Sequence, residues 1–337
     1  MRLLRQFLLL QAMTLLLVFA PLGARAELTV LVGEPFGNFG TMMPVGHTAL
    51  YLSRVCADGP LKLRMCRPDE PQGVVLARYH RIGQYDWLAS PVSEFLYAAA
   101  PGDPVQTFVT AASAWAAREQ YRRRYLSSIV PDGQEGDATG HGGPLEEWWE
   151  SAGVTFNRRV WGYSIDTTPQ QDERFVALMN ADPNRHLYHL KKTNCADFVA
   201  TLVNVYFPHL VHNDRIGDFG LMTPKEVARC VAAYGATHPE AHFHVTEMPQ
   251  LPGTLRRSRP VRGGAEAGLK TKRYLFTLAL IQPEVPAGLV VLYLWHGRWK
   301  IGQDALVETP AQWMAAIRPP APSGGGGTTA PTISSLH

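Results

Sequence analysis

The apolar positions change their period several times along the chain. A short apolar run occupies 28–32. A Gly- and Pro-rich stretch occupies 33–46, and alternation then begins at 47. His47, Ala49, Tyr51 and Ser53 fall on one face of this strand, and Leu50 and Leu52 on the other. Further strands are predicted over 61–66 and 74–82, with a turn signal at Asp58-Gly59-Pro60 between the first two. Strands joined this closely make an antiparallel meander. Residues 85–100 are apolar and aromatic as far as Pro101, and helical spacing then takes over. One helix is predicted over 111–126. It ends in Arg122-Arg123-Arg124, read as a solvated end beside the negative pole of the helix dipole. Others start at Thr168-Pro169 and Thr223-Pro224, each with a capping residue and a proline in the first turn. Between them, Asn194 makes a helix cap with Asp197 three residues on. Phe198, Val199, Leu202 and Val203 then repeat at helical spacing.

Both ends of the chain depart from this pattern. Arg2 and Arg5, the apolar stretch 8–20 and Ala24-Arg25-Ala26 compose a secretory signal with cleavage before Glu27, an uncleaved anchor being the alternative. Residues 249–268 are rich in Pro, Gly and Arg, and two apolar runs follow at 274–281 and 285–295. Together they approach membrane-spanning length, but Glu284 and Pro286 interrupt them, and a central Glu is costly in lipid. They read as two strands or a core hairpin. The alternative is a broken membrane segment, with weak membrane association through 274–295. From 319 onward the Pro, Gly, Ser and Thr content predicts a disordered tail. The expected organisation is a signal at 1–26, a main domain at 27–245, an apolar extension at 246–318 and a tail at 319–337. The expected location is periplasmic or extracellular, with membrane association as an option.

The 337 residues and 46% apolar content suit one large or two small domains. The net charge of +3, from 32 basic and 29 acidic side chains, is too balanced to point to a nucleic-acid partner. The four cysteines permit three full pairings. Cys56 and Cys66 flank one turn and are the favoured pair, leaving Cys195 free and Cys230 a buried thiol. A Cys195–Cys230 bridge is the rival that would remove any nucleophile.

Cys195 falls at the first helical position. There, free backbone N–H groups and the helix dipole favour a thiolate, the form a cysteine nucleophile needs. The alternative is a small buried residue that only packs. A nucleophile also needs a base, and His47 far upstream is the candidate. A tight turn at Asp58-Gly59 would set Glu70 opposite His47, whereas a Cys56–Cys66 bridge shifts the register and favours His80. His141 lies in the Gly-rich segment 132–144, read as a mobile loop or a lid. Gly46-His47-Thr48 followed much later by Asn194-Cys195-Ala196-Asp197-Phe198-Val199 resembles the circularly permuted papain-like thiol hydrolases, the relatives of NlpC-type peptidases and lecithin–retinol acyltransferase. The resemblance covers about residues 40–210. It implies an α+β fold in which an antiparallel meander packs against helices that include the Cys195 helix. It also implies acyl transfer through a Cys195 thioester, with His47 as base and Glu70 or His80 orienting it. The oxyanion would be held at the helix start, by Asn194 and Ala196. Substrates of this group are cell-wall peptides, other amides and lipid esters, and no cofactor is called for. A non-catalytic envelope binding or scaffolding protein is the alternative. Metal binding through His186/His189, His209/His212 or His242/His244 is a further one, though none of these pairs has the context that makes a zinc site.

Overall fold

The structure is a computed structural model. It describes residues 26–37, 45–70, 73–82, 84–131, 148–185, 189, 192–213, 218, 220–270 and 272–317, without the side chains of 80, 81, 272–274, 277, 278, 296 and 297. The expected signal, His141, His186 and the tail from 319 lie outside the described residues.

In chain order the elements begin with β1 (Glu27–Gly33), β2 (His47–Leu52), β3 (Val55–Ala57), β4 (Leu63–Met65), β5 (Val74–Ile82) and β6 (Tyr85–Pro91). Then come α1 (Val92–Tyr97), α2 (Ala111–Tyr121), α3 (Val154–Asn157), β7 (Val160–Asp166), α4 (Pro169–Ala181), α5 (Cys195–Tyr206) and α6 (Pro224–Thr237). The last are β8 (His244–Met248), α7 (Gly264–Lys270), α8 (Lys272–Ile281), α9 (Glu284–Leu292), β9 (Leu306–Val307) and α10 (Pro310–Ala316). The fold is α+β. One seven-stranded sheet runs β6-β5-β2-β1-β7-β8-β9, antiparallel except for β8 with β9.

The apolar run at 28–32 is the centre of this sheet. β1 is paired on both edges, which is why nearly every residue in it is buried. The predicted meander is corrected. β2 pairs directly with β5, Ala49 opposite Ala77, while β3 and β4 leave the sheet as a separate ribbon. The Cys56–Cys66 disulfide ties that ribbon shut.

The two faces of the sheet carry separate cores. Val30, Leu50, Leu52 and Leu76 meet Phe175 of α4, Phe198, Val199 and Leu202 of α5, and Val227 and Val231 of α6. Leu31, Ala49, Tyr51, Val75 and Tyr79 face Phe95 and Leu96 of α1, Ala114 and Tyr121 of α2, Trp148 and Phe156. The alternation read from the sequence therefore separates two differently built layers.

Two further expectations are corrected. Arg122-Arg123-Arg124 is a solvated end only in part: Arg123 and Arg124 are exposed, though Arg123 pairs with Glu119 and Arg124 with buried Glu94, whereas Arg122 is buried and pairs with Glu119. The apolar runs at 274–281 and 285–295 are helices, not strands, because Pro283 and Pro286 fall where a first turn tolerates them. Past them the chain returns to the sheet as β9, and Trp313 and Ile317 complete the second core.

Candidate active site

Asn194 builds the start of α5. Its Oδ1 accepts the N–H groups of Ala196 (2.7 Å) and Asp197 (3.0 Å), and its own N–H donates to Asp197 Oδ2 (3.0 Å). Its Nδ2 donates to Met222 O (3.2 Å), so the cap also joins α5 to the loop before α6. The predicted cap is therefore present. The Ala196 N–H donates to this cap and also lies toward Cys195 Sγ, so it is shared between the two.

Cys195 is a free thiol at the first position of α5. The N–H groups of Thr48, Ala196 and Cys195 itself are directed at Sγ and favour the thiolate, but burial outweighs them and pushes the thiol up to about 11. Asp197 adds to the rise. The surroundings of Sγ therefore oppose the thiolate that the helix start favours, although Cys195 as a whole is only half-buried.

Thr48 sits beside His47, so the fold brings the two predicted residues to the same end of β2. It does not join them: no hydrogen bond links Cys195 Sγ to the imidazole. His47 shares the face of Ala49 and Tyr51, opposite to the one packed by α5. Its ring stacks on Tyr79 with centroids 5.0 Å apart and planes 16° from parallel. His47 Nε2 is buried without a hydrogen-bond partner among the described residues. Burial, then the Arg158 guanidinium, holds the imidazole down to about 3. Arg158 itself pairs with Glu150 and lies over the Phe36 ring at 4.2 Å. Gly46 has φ +80, and a side chain there would also collide with the Gly33 carbonyl, so both the backbone and the packing call for glycine.

Glu70 is not beside His47. It pairs with Arg64 and accepts from the Arg67 N–H (2.6 Å), and Arg64 holds its carboxyl down to about 2. The register that would have set it opposite His47 is absent, since β2 pairs with β5. Continuing that pairing past Ala49 and Ala77 puts Tyr79 opposite His47. His80 is the next residue of β5, and its side chain is not among those described. Tyr79 was findable from the same alternation that placed His47; Arg158, more than a hundred residues away, gave no local signal.

Two cavities lie elsewhere. One of about 660 Å³ is lined by Cys230, His209, His212, Arg229, Tyr206 and Tyr234, and one of about 670 Å³ lies between 101–107 and α10. Neither is lined by Cys195 or His47. His242 Nδ1 meets Asp166 (2.8 Å) and His244 Nε2 meets Glu27 (3.4 Å). The grouping of metal-ligand types among the described residues is Cys56, Cys66 and Glu70, whose sulfurs are bonded to each other and offer no thiolate. Compared with known proteins, the chain matches no family model, no curated protein and no solved structure.

Proposed function

We propose that the chain is an exported cysteine hydrolase or acyltransferase of the circularly permuted papain-like type, acting on an amide or ester of the cell envelope. The observation that carries this is the setting of Cys195 Sγ: first residue of a capped helix, with the Thr48 N–H aimed at it beside His47. In the proposed reaction His47 leaves Tyr79 and takes the thiol proton as Sγ bonds to the substrate carbonyl carbon. The N–H groups of Thr48 and Cys195 hold the oxyanion. The imidazolium then protonates the departing amine or alcohol as the carbon–heteroatom bond breaks, leaving a thioester. Water, or a second alcohol or amine, gives its proton to His47 and attacks the thioester, releasing the thiol. Starting from a neutral pair avoids holding two buried charges between turnovers.

The test is to incubate the protein with peptidoglycan peptides, simple amides and phospholipids and to map any acyl group on Cys195 as a hydroxylamine-labile mass increment. The expected result is an adduct on Cys195 that Cys195→Ser lacks and that forms at least a thousandfold more slowly in His47→Ala. A second reading, a non-catalytic envelope binding protein, is favoured by the stacking of His47 on Tyr79 away from the thiol. It requires no adduct with any donor and a Cys195 inert to iodoacetamide at neutral pH in the folded chain.

A further inference from the structure

Phe276, Leu280, Ile281, Val291, Leu294 and Trp295 are each more than half exposed, on α8, α9 and the turn of π-helix that continues α9. Apolar surface gathered in this way marks a protein or membrane contact. Leu289 is the inward-facing side chain of α9, and it packs where Gly268 of α7 leaves it room. α8 has 10 residues and α9 has 9. At the rise of an α-helix each spans about 15 Å, half the thickness of a hydrocarbon core. No described helix is long and apolar enough to cross a membrane.

We propose that α8 and α9 are a surface anchor that lies in the headgroup region of an anionic bilayer with these apolar side chains among the acyl chains. Charge selects a lipid surface over a second copy of the chain. Residues 272–300 contain Lys272, Arg273, Arg298 and Lys300 against the single acid Glu284, and the bases sit at the two ends of the apolar stretch, while Lys270 before it is paired with Glu266. Two copies meeting through this surface would bring like charges together, whereas anionic headgroups neutralise them. Tyr293 and Trp295 stand just before Arg298, the sequence of side chains that suits an acyl-to-headgroup boundary. The unit is tied to the body at both ends, by Lys225 Nζ to Glu266 (3.1 Å) and by the Gly302 N–H to the Tyr163 hydroxyl (2.9 Å). Binding would therefore hold the whole fold at the membrane. The proposal is independent of the thiol chemistry.

Flotation of the chain from Ala26 onward, which keeps every described residue and omits the apolar segment 8–20 that would itself bind lipid, with vesicles of phosphatidylglycerol and phosphatidylethanolamine, and with vesicles of phosphatidylcholine, tests it. Leu280→Asp/Ile281→Asp should lower the bound fraction at least tenfold, with an unchanged circular dichroism spectrum because both side chains are exposed. Phe276→Ser, a milder change, should lower it several-fold. Arg298→Glu/Lys300→Glu should lose several-fold on the anionic vesicles and little on phosphatidylcholine. Binding by Leu280→Asp/Ile281→Asp equal to the parent overturns the proposal. So does a parent that ignores both vesicle types yet forms a dimer that this variant abolishes, which would assign the surface to a second copy.

Discussion

The two faces of the sheet are buried by different means. On the face covered by α4, α5 and α6, mostly aliphatic strand residues meet Phe198, Val199, Leu202 and Val203, and a single buried strand ion pair, Arg78 with Asp86, sets its guanidinium over the Phe198 ring. Asp172, Lys225 and Glu226, the buried charges of those helices, sit in first turns. On the other face Arg118, Arg122, Arg158 and Glu94 are buried in company with Tyr97, Trp148 and Phe156. Arg118 donates to Ala152 O (2.9 Å), Gly153 O (3.0 Å) and Asn157 Oδ1 (2.6 Å), and Arg122 donates to Val130 O (2.9 Å). A regular helix satisfies its own carbonyls, but a chain that covers a sheet by an irregular path must find donors for them. One guanidinium reaches several at once and still stacks on rings, as Arg118 does over Trp149 and Phe156. The candidate residues are divided by the same contrast: Cys195 belongs to the helix-covered side and His47 to the arginine-rich side.

The largest effect that separates the faces comes from two substitutions that create the same side chain. Arg118→Met keeps most of the volume but leaves buried carbonyls without donors, and should destabilise by about 3–5 kcal/mol. Leu202→Met on the opposite face conserves volume and apolarity, and should cost less than about 1.5 kcal/mol. Urea denaturation at unchanged m-value measures both. Equal losses would mean that the arginines are incidental to the second core.

A pH titration of stability sharpens the contrast, with one limb for each face. His47 is held down to about 3 in the folded protein. An unfolded chain takes that proton near pH 6.5, so stability is lost as pH falls below about 6.5 and continues to fall toward 3, by up to about 1.4 kcal/mol per unit. Cys195 is pushed up to about 11. The unfolded thiol ionises first, near 8.5, so stability is lost as pH rises from there toward 11. His47→Phe should flatten only the acid limb, and Cys195→Ala only the alkaline one. Arg158→Met should raise the His47 pKa by less than burial lowers it, since Arg158 is the smaller of its two causes. An acid limb unmoved by His47→Phe would assign it to other groups.

Some local signals in the sequence were read correctly. The alternation at 47–52, the Asn194 cap and the Cys56–Cys66 closure each depend on neighbours within a few residues, and all three are present. The excursion of β3 and β4 out of the sheet was not legible, because a hairpin and a ribbon share the same turn residues. Arg122 read as solvated because its partners Glu119 and Val130 O enclose it only once the chain after α2 folds back. The helicity of α8 was masked by apolar runs whose period fits a buried strand as readily as a helix. The raised pKa of Cys195 and the lowered pKa of His47 were hidden for a related reason. A helix start is visible in sequence, but the burial that overrides it is made by residues far apart in the chain.

The smallest effect tests whether the cap of α5 does more than a cap elsewhere. Thr110 caps α2 on the arginine-rich side, accepting from the Ser113 N–H (3.1 Å), as Asn194 caps α5. Thr110→Ala and Asn194→Ala should each destabilise by about 0.5–2 kcal/mol, because the first strips one partly buried N–H group of its acceptor and the second strips two. Their effects on Cys195 should differ. Burial is the first cause of its raised pKa, and fraying the first turn of α5 lets water reach Sγ while releasing the Ala196 N–H from Asn194 Oδ1 toward it. Both changes favour the thiolate. Alkylation of Cys195 by iodoacetamide at pH 8 should therefore quicken several-fold in Asn194→Ala and stay at the parent rate in Thr110→Ala. Asn194→Asp keeps the acceptor for both N–H groups but adds a second negative charge beside Sγ, of the kind by which Asp197 already raises the thiol, and should fall below the parent rate. Equal rates in all four proteins would mean that the first turn is held by its packing against β2 and that the cap adds stability without governing the thiol.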